Sequence, residues 1–166
     1  MTTDLLETHP KQAIHDQLES ESAIMLEIEG VTDFMIPMAA KPDQETNTVW
    51  FFADRSSEIF SKFTSPSKAR IIISSNKDKF WADIQGEIKE STNEEVIANK
   101  WSADVEAWYD KGKDDENLML LAFVPKTAHA SSSTTNPIKF SWQTAKAILN
   151  KQETPSISIQ KSIDYA

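Results

Sequence analysis

The chain has 166 residues, 39% hydrophobic and 26% charged, enough for one globular domain with a real core. A net charge of −9 argues against nucleic acid and anionic membranes as partners, and the absence of cysteine excludes disulfides, iron–sulfur clusters and thiol chemistry. No apolar run approaches the roughly 20 residues of a membrane span, and the acidic, polar start MTTDLLETHPKQ lacks the features of a secretory signal, so the chain reads as cytoplasmic.

In chain order, Thr8-His9-Pro10-Lys11 opens a helix with Pro in its first turn, and Ala13, Ile14 and Leu18 share a face. Ile24, Leu26 and Ile28 alternate with polar or exposed-type residues, which predicts a strand that turns at Gly30. Phe34 to Ala40 reads as a second strand, with Pro37 marking an edge or bulge, and Lys41 to Asn47 as a polar loop. Thr48 to Phe52 is a third strand, and Ile59, Phe60 and Phe63 put a stripe on a short helix. Ile71-Ile72-Ile73 fits a buried strand. From Phe80 to Lys89 the chain alternates: Phe80, Ala82, Ile84, Gly86 and Ile88 form a core face, with Trp81, Asp83 and Gln85 on the other. Thr92-Asn93-Glu94-Glu95 matches a capping box and predicts a helix to about Tyr109 carrying both Trp101 and Trp108. Leu118 to Val124 is a strand stopped by Pro125, Ser131 to Thr135 a linker, and Ser141 to Leu149 a last helix. Residues 151–166 read as a mobile tail outside a domain spanning 1–150. Short strands joined by tight turns favour a mainly β, antiparallel sheet or barrel with flanking helices.

The most suggestive stretch is Thr48 to Phe60. An aromatic strand (Trp50, Phe51, Phe52) ends in the polar turn Asp54-Arg55-Ser56-Ser57, which opens a helix. Helix starts present unpaired N–H groups that suit phosphate, and flat apolar walls beside one suit a nucleotide-like ligand. The same residues equally serve a strand followed by a capped helix with no ligand. Three glycines are too few for a Rossmann or Walker loop, and His9, His15 and His129 lack metal-site spacing. An outward face bearing Trp81, Asp83 and Gln85 would be a wide apolar–polar surface needing a cover, which a second copy of the chain would supply.

Over Thr8 to Leu149 the chain resembles the general stress protein 26 branch of the pyridoxamine 5′-phosphate oxidase-like family. The patches that carry the resemblance are Ile36-Pro37-Met38-Ala39, Val49 to Ser57, Gln85-Gly86-Glu87, Trp101 to Tyr109 and Asp114 to Leu121. It implies a split β-barrel of six to seven antiparallel strands, and a homodimer holding FMN (or FAD) between subunits. It implies flavin-dependent oxidoreductase chemistry of the pyridoxamine 5′-phosphate oxidase-like type. The rival is a non-catalytic dimeric stress or interaction protein that has lost the flavin. No catalytic residue is assigned. By resemblance, Ile36, Pro37, Met38 and Ala39 line the flavin ring through their backbone, and Phe51, Phe52, Ala53 and Asp54 face the ring and ribityl chain. Ser57 would meet the phosphate, and Trp81 and Asp83 would approach from the partner subunit. This sequence departs from the family at Ile36 and Ile59, where cations are common, and at Ala53, where Thr is common; Arg55, Lys62 or Lys68 would substitute as phosphate cations.

Overall fold

The run predicted to alternate from Phe80 is the central strand of a curled antiparallel half-barrel, in a computed structural model that describes residues 2–134, 136–149 and 158–166. Among the described residues there are eight strands, β1 (Ile24–Ile28), β2 (Ile36–Met38), β3 (Lys41–Pro42), β4 (Val49–Asp54), β5 (Ser67–Ser75), β6 (Phe80–Ser91), β7 (Leu118–Ser133) and β8 (Ser158–Asp164). Their order is β2-β1-β5-β6-β7-β4-β3, with β8 as a further partner of β7. Helices α1 (Thr2–Thr8) and α2 (Pro10–Ser20) close the barrel with Leu6, Ala13, Ile14 and Leu18. Inward residues of β1, β5 and β6 meet them, among them Leu26, Ile28, Ile71, Ile73, Phe80 and Ile84. A second, smaller cluster lies on the opposite side of β4 and β7. There Trp50, Leu120 and Ala122 are covered by Val96 and Ile97 of α3 (Glu94–Lys100).

The geometry turns on one crossing. β6 pairs with β7 along its whole length, but the register shifts between Gln85 and Gly86: Gln85 faces Thr127 while Gly86 faces Pro125, leaving Lys126 as an extra residue. A bulge is where a strand tolerates Pro, which lacks the N–H of the ladder. It also bends β7, so its first half pairs with β4 and its second half with β8. The two strands approach so closely here that a Cβ on Gly86 would sit 2.2 Å from the Val124 carbonyl oxygen and 2.9 Å from Pro125 Cα. Pro125 therefore does not stop the strand, contrary to the sequence expectation, and the Ser131 linker is strand as far as Ser133.

Other expectations change for local reasons. The predicted second strand shrinks to three residues at an edge, and the loop after it begins as β3, which pairs with β4. The helix predicted from Thr92 to Tyr109 breaks in two, α3 and α4 (Ala103–Glu106). Asn93, not Thr92, caps α3 by accepting from the Val96 N–H. The break frees Trp101 to pack between Phe52 and Tyr109, while Trp108 is 84% exposed. The last helix, α5 (Pro137–Leu149), starts four residues earlier than predicted. Weak structure signals are expected after Gln152, yet residues 158–164 form β8; residues 151–157 of that predicted tail lie outside the described residues.

Gly86→Ala forces backbone apart rather than a flexible side chain, so it is expected to destabilise the domain by about 3 kcal/mol, the upper end of overpacking. Denaturant unfolding with an unchanged slope checks this; a loss under about 0.5 kcal/mol would contradict it.

Candidate functional site

Strand register assembles one continuous row of outward side chains across six strands. Pro37 of β2 faces Met25 of β1, Met25 faces Ile72 of β5, and Ile72 faces Asp83 of β6. Asp83 in turn faces His129 of β7, which faces Ser162 of β8. A parallel row on one side runs Ser74, Trp81, Ser131, Gln160, and on the other Glu27, Arg70, Gln85, Thr127, Asp164. These positions alternate with core residues, so their outward aim follows from the two-residue period of a strand.

Between β5 and β8 the face is an open trough of about 670 Å³, walled by Trp81 and Ile72 and floored by the backbone of Ala82 and Ala130. Its polar groups converge. Arg70 donates from Nε to Asp83 Oδ1 (2.7 Å) and from Nη2 to Oδ2 (2.5 Å), a two-pronged ion pair. That guanidinium, opposed by partial burial and helped by His129, holds the Asp83 carboxyl below the usual carboxylate range. His129 Nδ1 shares a 2.9 Å hydrogen bond with Ser162 Oγ. Arg70 also edges a second hollow of about 620 Å³ on the same face, lined by Glu27, Glu29, Gln85 and Thr127, so the ion pair is a ridge between two basins. Trp81 and Asp83 were legible from the sequence, whereas Arg70, Ile72, His129 and Ser162 were not. Their signal is the register itself, which joins residues up to 92 positions apart.

The turn at the end of β4 differs from its expectation. Asp54 to Ser57 leads into a single 3₁₀ turn at Phe60–Lys62, not an α-helix. The donors of both serines are engaged within the turn. The Ser56 N–H and hydroxyl both donate to Asp54 Oδ1, the Ser57 hydroxyl donates to the Asp54 carbonyl, and the Phe60 N–H donates to Ser57 Oγ. The Arg55 N–H donates to the Asn117 carbonyl, and its guanidinium grips Glu90. Lys62 is exposed, and Lys68 pairs loosely with Glu29 at 4.0 Å. Phe51 and Ala53 point into the core; Phe52 points the other way, its ring edge-on to Trp101 at 5.6 Å, and Tyr109 donates to the Ala53 carbonyl at 2.8 Å. On β2, Ile36 is core, Pro37 is exposed and Met38 is half-buried, followed by exposed Ala39.

Within one chain the turn and the trough stand apart. Asp54 pairs with Leu118 and Trp81 with Ser131, thirteen residues further along β7, about 40 Å of strand at roughly 3.3 Å per residue. Among the described residues no group of three or more His, Cys, Asp or Glu could hold a metal ion, and no helix is long and apolar enough to cross a membrane.

A family model described as pyridoxamine 5′-phosphate oxidase like matches residues 9–155. A solved structure from a Jannaschia species, assigned provisionally as general stress protein 26, is 28% identical over 90% of this chain and 94% of its own, with a TM-score of 0.77. The general stress FMN/FAD binding protein of Xanthomonas citri is 26% identical over 76% of this chain and 90% of its own, with a TM-score of 0.68. General stress protein 26 of Bacillus anthracis shares the fold at 15% identity over 74% of this chain and 94% of its own, with a TM-score of 0.62. No protein with a curated description matches the chain.

The Arg70–Asp83 pair is part-exposed, so solvent screens it, and Asp83→Asn is expected to cost only about 0.5–1 kcal/mol at pH 7. Because the folded carboxyl titrates below its unfolded value, its stabilisation is present above about pH 4 and is lost as pH falls through the folded value. Unfolding curves of the two proteins should therefore converge below pH 4; a gap that widens there would contradict the assignment.

Proposed function

The chain belongs to the pyridoxamine 5′-phosphate oxidase-like family, and on that premise we propose that it is a cytoplasmic homodimer that binds a flavin nucleotide, FMN or FAD, at the seam between two copies. The observation that carries the proposal is the open trough. A flat wall of Trp81 beside Ile72, with Asp83 and His129 at the same level and Arg70 clamping Asp83 from the next row, suits a planar ring edged by hydrogen-bonding groups. None of the described residues covers this surface, and the turn that the family resemblance pairs with it lies at the far end of β7. A second copy would bring the two together. Pro37, Met38 and Ala39, at the edge continuing the same row, would border the ring, with Phe52 on the β4 side. A bound flavin would supply electron transfer; Trp81 would exclude water from one ring face, and Asp83, held by Arg70, would stay ionised and accept a hydrogen bond.

The phosphate end fits poorly. Asp54 puts an anion in the turn, the N–H groups of Ser56 and Ser57 are engaged, and Arg55 is committed to Glu90. Ile36 and Ile59 pack toward the core where cations would be needed. These observations favour a second reading, a dimer that keeps the barrel and has lost the flavin.

Titration of the purified chain with FMN and with FAD separates the two. The first reading expects quenching of flavin fluorescence that saturates at one flavin per chain, and roughly tenfold weaker binding in Trp81→Ala, about 1.4 kcal/mol. No saturable binding of either flavin, with an unchanged melting temperature, would overturn it in favour of the second.

A further inference from the structure

α5 turns its apolar side away from the protein. Ile138, Trp142, Ala145 and Leu149, spaced 4, 3 and 4 residues, form one stripe along the helix, and Ile138, Trp142 and Leu149 are 80%, 70% and 83% exposed. The half-buried residues of the helix are Gln143, Thr144 and Ala147, on the opposite side. Apart from Phe140, itself 49% exposed, the inward positions are small or polar and the large apolar residues face outward. With Ile148 exposed beside the stripe, the helix presents several hundred Å² of apolar surface, since a single aromatic side chain carries about 150–250 Å².

Charge says what covers it. α5 contains Lys139 and Lys146 and no Asp or Glu, so the helix carries +2 in a chain of −9, leaving −11 on the remainder. A basic arm on an acidic body is complementary to a second copy of itself, and the body's net charge repels an anionic membrane. Position agrees. α5 begins four residues after Ser133, the end of β7, beside the rim of the trough formed by Trp81, Ser131 and Gln160, yet no α5 residue lines that trough in its own chain. The outer face next to it offers apolar Met25, Ile72 and Trp81 flanked by exposed Glu27. On α5, Lys139 lies one residue beyond the start of the stripe, on its flank.

We propose that α5 is an exchanged arm: the helix of each copy lies over the outer sheet face of the other and roofs the trough, its stripe seated at Met25 beside the trough and facing the Trp81–Ile72 bed across the space left for the ring, with Lys139 toward Glu27. This rests on the reading that two copies associate, and it names the element that covers the trough.

Sedimentation velocity of the full chain over a range of concentrations tests it. The wild type is expected to be a dimer, and Ile138→Asp/Leu149→Asp to raise the dimer dissociation constant a hundredfold or more. Those side chains are exposed in the single chain, so circular dichroism and melting of the variant monomer should be retained. A variant that dimerises like the wild type overturns the arm while leaving the dimer; a wild type that is monomeric throughout overturns the dimer reading itself. Lys139→Glu and Glu27→Lys should each weaken the dimer and together restore it; a double variant no stronger than the singles overturns this seating. Flotation of the wild type with phosphatidylglycerol vesicles, lost in the stripe variant, would assign α5 to a lipid surface and overturn the proposal.

Discussion

The close crossing of β6 and β7 at Gly86 is the constraint on which the rest of the structure hangs. A side chain there would collide with the backbone of Val124 and Pro125. Because there is none, the strands meet, Lys126 is pushed out of register, and β7 bends. A bent β7 can serve two neighbours in succession, β4 and then β8. That split curls the sheet around Phe123, Ile84 and Ile88 on the inside and spreads the rows through Trp81 and Asp83 on the outside. It also sets the turn at Asp54 and the trough at opposite ends of one strand.

Much of the fold was legible because single strands advertise their faces. The alternation from Phe80 to Ile88 separated core from surface, and Trp81 and Asp83 do stand on the outward side. What could not be read depends on partners remote in sequence. Pro125 looked like a stop because its missing N–H matters in a regular ladder; at a bulge it matters less. β8 carries weak strand signals of its own and exists because it completes the outer edge of β7 over seven paired positions. The helix expected through Trp101 is interrupted where Trp101 packs against Phe52 and Tyr109. For the site, His129 is an exposed histidine, and only strand register reveals that it stands between Asp83 and Ser162.

The turn at Asp54 shows how a motif can be right in composition and different in physics. A polar residue after a strand suggests a helix cap, and Ser56 and Ser57 suggest donors for an anion. Here the carboxylate of Asp54 is the anion, and the serines are its partners. The apolar trough and the engaged turn therefore pull a flavin reading in opposite directions: one supplies a bed for a planar ring, the other withholds the usual grip on phosphate.

The most direct test of the central claim, that two copies meet through the outer sheet face, exploits the absence of cysteine. A single Thr127→Cys, at an exposed position on that face, carries a spin label, and pulsed dipolar spectroscopy reads the distance between labels on different chains. The account predicts one short, well-defined intermolecular distance that is retained when FMN is added. An absence of dipolar coupling between chains, at concentrations where a dimer should be saturated, would contradict it.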